Sequence, residues 1–368
     1  MNPAIAKTLS LILLIGVGFC LRRALPRPEH HQALKVLILN LALPAIIFVA
    51  LMNSQMERAL LWLPLGAIAF NFGLLALTWL VLPQLYGIRR ESSEMRTLML
   101  LIPSLAPGLS CFPFLLTYLG KEMLAHASIA DLGNKVYVLI FCYLLAMQWH
   151  FRRVPGEAVG GWGRLRVVVG SLVREPVNMA IFMAMVLLVA GIHFQQLPAF
   201  AGDTITMLSA MMTPLVLLFI GLTVQFSWSQ FRVIISLLLF RAAIALLFST
   251  VCLSLIPELN SAMRMLVVVF PQSAVSFWPL AHISTISAME RRSGTSFGGV
   301  KTFNAQLALN VLAVSLPFSA GISLTVFSTG DLFTRVPVLF LTAGLLLVMA
   351  VAPVLVYRAL KAREVLIS

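Results

Sequence analysis

Eleven apolar stretches follow one another along this chain, at residues 4–21, 34–52, 59–83, 96–119, 126–149, 176–194, 203–224, 231–256, 263–283, 301–324 and 334–357. A bilayer core of about 30 Å requires roughly 20 apolar residues of a helix that crosses it, and these stretches have that length. The composition agrees: 60% of the residues are hydrophobic, only 11% are charged, and mean hydropathy is +0.98. A soluble domain carries about a quarter charged residues and has no interior large enough for this much apolar surface. The excess faces lipid, and the fold class predicted is an all-α polytopic membrane protein.

The net charge of +13 raises nucleic acid as a partner. The basic residues argue against it, because they form short clusters between apolar stretches rather than one stripe. Membrane topology accounts for them. With the loop at 22–35 placed in the cytoplasm and the sides alternating, 19 of the 26 Lys and Arg fall on the cytoplasmic side and six on the other. The remaining one, Arg241, lies inside a helix. This bias places the N-terminus outside and the C-terminus in the cytoplasm of a bacterial inner (plasma) membrane. The start Met1-Asn2-Pro3-Ala4 has neither the basic region nor the cleavage site of a signal peptide, so it is expected to stay as the first helix. The four cysteines lie in apolar stretches with no disulfide or metal spacing, and no cofactor is expected.

Two pairs of stretches resemble each other at near-constant offset. LNLALPAIIFVAL around Pro44 matches SAMMTPLVLLFIGL around Pro214, 170 residues on. The run from Met95-Arg96 to Pro103 matches Met263-Arg264 to Pro271, 168 residues on, and each continues through a further proline, Pro113 and Pro279. Five helices separate equivalent positions, and because five is odd the repeats must be inserted upside down. The expected organisation is a first five-helix repeat at 1–150 and a Gly- and Arg-containing cytoplasmic linker at 151–175. A second, inverted repeat follows at 176–325, then an additional C-terminal helix and tail at 326–368. Paired, interrupted helices in inverted repeats are the best pointer from sequence to a transporter's binding site.

The segment GVGFCLRRALPRPEHHQALKVLILNLALPAIIF, with FPFLLTYLGKEMLAHASIADLGNKVYVL, PVNMAIFMAMVLLVAGI and TPLVLLFIGLTV, resembles the auxin efflux carrier family of permeases. That family lies within the superfamily that includes bile-acid symporters, and the resemblance spans roughly the first 320 residues. It implies ten helices, a scaffold domain and a transport domain, helices 4 and 9 that unwind and cross at mid-membrane, and small organic anions as substrates. This chain departs from the pattern in two places. The crossover stretches Ala106-Pro107-Gly108-Leu109-Ser110 and Ser273-Ala274-Val275-Ser276 lack the family's frequent asparagine, and an eleventh helix is present.

The residues expected to bind substrate cluster at those stretches. Pro103, Pro107, Gly108 and Pro113 fall within eleven residues, and each internal proline removes a helical hydrogen bond. Unwound backbone at membrane depth survives where it is packed in protein or lines a watery cavity. Pro107, Gly108, Leu109, Ser110, Cys111 and Pro113 form the first candidate set; Pro271, Gln272, Ser273, Ser276 and Pro279 form the second. Half-helices starting after Pro113 and Pro279 would aim N-terminal NH groups at an anion; the competing reading is two packing kinks. Asn40 and Thr213 beside Pro44 and Pro214 are added as polar contacts, although capping of freed carbonyls explains them as well. Arg241 lies nine residues beyond Arg232, about 13 Å deeper, and needs a substrate carboxylate, a protein acid or a water-filled cavity. Asp131 sits about 7 Å inside a helix starting near 126, with Lys135 one turn on. An ion pair and a proton acceptor for coupling are both open for it, and Asn134 shares the helix.

The predicted function is therefore a secondary active permease for a small organic anion, probed best with carboxylates, working by alternating access and coupled to H+ or Na+. No G-x-x-x-x-G-K-[ST] loop is present to suggest ATP as the driving force. A membrane enzyme would need a nucleophile with a base, or paired acids, at one depth, and 13 acids and six histidines mostly in loops do not provide them. A membrane sensor or assembly subunit that keeps the fold without transport is the alternative. The lipid bilayer and a second copy of the chain, as a homodimer, complete the expected partners.

Overall fold

The computed structural model describes residues 3–53, 62–152, 176–223, 228–292 and 301–367. The expected linker at 151–175 falls almost wholly outside them. Among the described residues the secondary structure is helical, with no strand. The helices are α1 (Pro3–Leu21), α2 (Pro28–Leu37), α3 (Leu43–Met52), α4 (Trp62–Tyr86), α5 (Ser93–Leu101), α6 (Pro107–Ser110), α7 (Phe112–Lys135) and α8 (Cys142–Phe151). They continue as α9 (Pro176–Val189), α10 (Ala199–Ala210), α11 (Met212–Thr223), α12 (Trp228–Leu255), α13 (Ser261–Val269), α14 (Trp278–Arg292), α15 (Ala305–Ser328) and α16 (Val336–Ile367). The chain is an all-α integral membrane protein that crosses the bilayer several times. Seven helical runs are long and apolar enough to span on their own, and three shorter apolar runs accompany them among the described residues.

Two spans carry π-helical turns. Ile38–Ala42 joins α2 to α3, and Val136–Phe141 joins α7 to α8. Such turns interrupt the regular hydrogen-bond ladder and recur at functional sites. Another interruption is sharper. Gly120 has φ +84°, a left-handed value that suits a residue without Cβ, and it bends α7 so that the fourth stretch passes into the fifth. The fifth span therefore starts near 121 rather than 126. Asp131 lies eleven residues past Gly120, about 16 Å in rather than the expected 7 Å.

Helix packing falls into two groups. In the first, α1 lies along α11, and α3 lies against α9 and α10. The α1–α11 contact is backbone to backbone. A Cβ on Gly18 would meet the Leu218 carbonyl oxygen at 2.3 Å, and one on Gly221 would meet that of Ile15 at 2.1 Å. Small residues of this kind let helices touch where no hydrophobic force separates lipid from protein. In the second group α4 packs on α7, and α12 on α16. The extra helix α16 thus has a place. Ser236 on α12 donates to its Ala350 carbonyl at 2.7 Å. Ahead of it, Asp331 accepts from Ser261 at 2.6 Å and the Thr334 carbonyl accepts from Arg264 at 3.1 Å, which fastens the start of α13.

Candidate functional site

The fourth and ninth stretches are each interrupted. Helix α5 begins with Ser92 as its cap, whose oxygen accepts from the Met95 N–H at 3.1 Å, and it stops ahead of Pro103. Residues 104–106 are non-helical, α6 is a single turn, and α7 resumes at Phe112 with Pro113 in its first turn. Helix α13 begins with Asn260 capping Met263 at 2.8 Å and tightens to a 3-10 turn at Phe270–Gln272 around Pro271. Residues 273–276 are non-helical, and α14 resumes at Trp278, followed by Pro279. Both interruptions thus follow a capped nine-residue helix and come at a proline, which supplies no N–H to continue the ladder.

The two breaks meet. Ala106 N–H donates to the Ala274 carbonyl at 2.7 Å. The Ser110 hydroxyl accepts from Ala274 N–H at 2.8 Å while donating to the Ala106 carbonyl at 2.9 Å. Ser104 does the same elsewhere, accepting from Ser276 N–H at 3.1 Å and donating to the Leu101 carbonyl at 2.6 Å. Each serine takes a backbone N–H of the second break and hands its own proton to a carbonyl of the first, which also accepts a backbone N–H. Pro107, Gly108, Leu109, Ser110, Cys111 and Pro113, with Pro271, Gln272, Ser273, Ser276 and Pro279, are all buried around this junction. Gly108 faces α3: a Cβ there would meet Leu43 Cδ2 at 2.7 Å.

Side chains from neighbouring helices satisfy what remains. Asn134 forms a two-point contact with Leu105, accepting its N–H at 3.1 Å and donating to its carbonyl at 3.0 Å. The same Nδ2 donates to Asp131 Oδ1 at 2.8 Å, and Lys135 lies 3.7 Å from Asp131 Oδ2. Lys135 also donates to Asn178 on α9 at 3.1 Å. The i,i+4 ion pair read from sequence is present, buried, and joined through Asn134 to the first break.

Arg241 is held by backbone carbonyls rather than by the protein acid that was one of the partners expected for it. Its Nε donates to the Ile102 carbonyl at 2.8 Å and its Nη2 to the Ser104 carbonyl at 3.1 Å, so it caps the end of α5. Among the described residues no carboxylate pairs with it. The residue is 4% exposed, and its hydrogen bonds among the described residues go to backbone carbonyls. Asn40 is exposed on its π turn and Thr213 is half-buried; among the described residues neither hydrogen-bonds to either break.

Several contributors escaped sequence reading. Asn71 on α4, fully buried, lies 3.2 Å from Asn134 Oδ1, and with its amide turned to face carbonyls it donates to Pro103 and Ala67 at 3.2 Å each. Ser319 on α15 donates to the Gln272 carbonyl, and Gln272 Nε2 donates to that of Ala242 at 3.0 Å. Lys35 Nζ stands 3.6 Å from the centre of the Phe277 ring. Ser104, one residue past Pro103, was the most accessible of these, since a hydroxyl next to a helix-ending proline is placed to bond freed carbonyls. The others come from distant helices and leave no local signal.

No family model matches the chain. Over 221 residues it is 21% identical to an uncharacterized transporter of Methanocaldococcus jannaschii, an alignment that covers 59% of this chain and 68% of that one. This distant similarity and the membrane-helical fold fit a transporter and point away from an enzyme.

Proposed function

We propose that the chain is a secondary transporter of a small organic anion, a carboxylate, of the auxin efflux carrier type. In this reading two inverted five-helix repeats place the junction of α5–α7 with α13–α14 at mid-membrane, and one helix group moves against the other around it. The observation that carries the reading is Arg241, a guanidinium held at the junction by carbonyls, with no acid opposite it among the described residues. Burying such a charge costs at least about 2.5 kcal/mol on insertion scales. A site that keeps one unneutralised favours an anionic ligand. Asp131 and Lys135 neutralise each other and leave that balance intact.

Coupling follows from the same geometry. Asp131 reaches the first break through Asn134, so a change in the charge of Asp131 alters the hydrogen bonds at Leu105. A proton is the coupling ion this arrangement favours. The topology that accompanies the reading has the N-terminus outside and the C-terminus in the cytoplasm of a bacterial inner membrane.

Counterflow in proteoliposomes against a panel of mono- and dicarboxylates tests the reading, with Gly108→Leu and Arg241→Gln as controls. Wild type should exchange at least one labelled carboxylate, and both variants should lose that exchange. Equal leakage of every compound through all three proteins would overturn it. A ligand-induced thermal shift without flux would instead identify a sensor with the same fold.

A further inference from the structure

A cavity of about 130 Å³ lies between α4, α7, α12 and α13 and abuts the start of the second break. Its rim is formed by the partly exposed Trp62 and Gly66 on α4 and by Cys252 and the exposed Leu255 at the end of α12. Its floor is closed by Leu266, Phe270 and Pro271, where α13 gives way to the second break. From Trp62 to Phe70 the wall of α4 runs eight residues, a depth of about 12 Å. Below the rim the lining residues are apolar, and the polar side-chain groups among them are the Trp62 indole N–H and the Cys252 thiol, both at the rim.

These features select the occupant. An apolar chamber of roughly 150 Å³ in a different, engineered protein stays dry and takes benzene or xenon, so a space of this size and lining excludes water and polar ligands. The rim lies between the ends of two membrane-spanning helices, and Leu255 at that rim is 76% exposed. The apolar material concentrated beside such an opening is the hydrocarbon of the bilayer itself. A headgroup cannot follow a tail inward, because no wall group would replace its hydration. From this we infer that the cavity is a lipid site that takes the end of one acyl chain, lodged against Phe270 and Pro271. The inference is independent of the transport reading.

Gly66 supplies the means to test it. A Cβ there meets only the Trp62 ring, at 3.9 Å, so Gly66→Leu can fill the cavity without striking backbone. The protein is placed in nanodiscs containing a phosphatidylcholine with a diazirine at the tip of one acyl chain, irradiated, and digested for mass spectrometry. Wild type should carry label on the 261–272 segment, whose Leu266 is 1% exposed, as well as on Phe182 and Val189 of α9, which are 69% and 89% exposed. In Gly66→Leu, and in Cys252→Phe, which fills from the opposite wall, label on 261–272 should vanish while label on α9 persists. An unlabelled 261–272 segment in wild type would overturn the inference. So would label there that persists in both filled variants while α9 labels normally.

Discussion

The two breaks differ in what holds them. The first, at 102–111, is fastened by residues of three other helices. Arg241 of α12 takes two of its carbonyls, Asn134 takes both backbone groups of Leu105, and Asn71 of α4 reaches Pro103. Among the described residues the second, at 270–277, takes fewer hydrogen bonds from outside, and Lys35 stands over its Phe277 ring. Ser319 and the Gln272–Ala242 contact hold its start, and beyond Ser273 its backbone N–H groups bond to Ser104 and Ser110 of the first break. Matching interruptions in sequence have thus become an anchor and a follower. In a pair of crossing helices this asymmetry concentrates rigidity on one strand of the junction and leaves the other to move with its own helix.

Removing Arg241 should produce the largest effect. Arg241→Ala leaves the Ile102 and Ser104 carbonyls without partners in a site closed to water. Losing hydrogen bonds from a charged donor costs about 1.5–3 kcal/mol each, part of which is recovered when a buried charge is removed. The net loss should be about 2 kcal/mol, read as a lower unfolding midpoint in nanodiscs. Arg241→Lys should recover little of it, since one ammonium does not reproduce a planar fork that spans two carbonyls. Unchanged stability in both variants would remove the anchor from the comparison.

Asn134→Ala should come next, at about 1–2 kcal/mol, because it strips partners from the N–H and the carbonyl of one residue. It also separates Asp131 from the junction while leaving the Asp131–Lys135 pair in place. If transport is proton-coupled through Asp131, Asn134→Ala should flatten the pH dependence of counterflow more than it lowers the rate at its optimum. A parallel drop at every pH would assign Asn134 a purely structural role.

What the sequence makes legible follows from how local each signal is. Prolines cluster at 103, 107 and 113 and again at 271 and 279, and it is the clustering that marks the interruptions, since the single Pro83, Pro317 and Pro353 lie inside continuous helices. Apolar stretch length and the placement of basic residues likewise need no tertiary information. Asp131 was set too shallow because Gly120 bends one helical run directly into the next, so that Lys121 and Glu122, which read as loop residues, already belong to the helix. Arg241 was recognised as unusual, but its partners are carbonyls 137 and 139 residues away, and no side-chain pattern announces an acceptor that every residue possesses. Asn71 and Ser319 are hidden for the same reason. They serve backbone groups that become orphans only after distant prolines have acted.

The smallest effect is the most discriminating. Ser104 and Ser273 occupy similar places, each donating to the carbonyl three residues earlier at 2.6 Å. Across the junction Ser104 accepts from a backbone N–H, that of Ser276, whereas Ser273 meets only the weakly bonding Cys111 thiol. Ser273→Ala removes one local bond and a weak contact with the Cys111 thiol, and the Phe270 carbonyl keeps the Ser273 N–H at 3.1 Å, so its stability should change little. Ser104→Ala removes an interhelical bond as well, and such bonds inside membranes are worth about 0.6 kcal/mol on average. The difference between the two variants should therefore be about that size, measured by unfolding in the same lipid. A double-mutant cycle of Ser104→Ala with Ser110→Ala sharpens the result. If the second break follows the first, losing both relays should cost more than the separate losses combined, because the Ala274 and Ser276 N–H groups then lose their partners together and only the Ala106 N–H bond to the Ala274 carbonyl remains. Strict additivity, or an equal loss in Ser273→Ala, would mean that the second break is held by its own turn and that the two strands of the junction are mechanically alike.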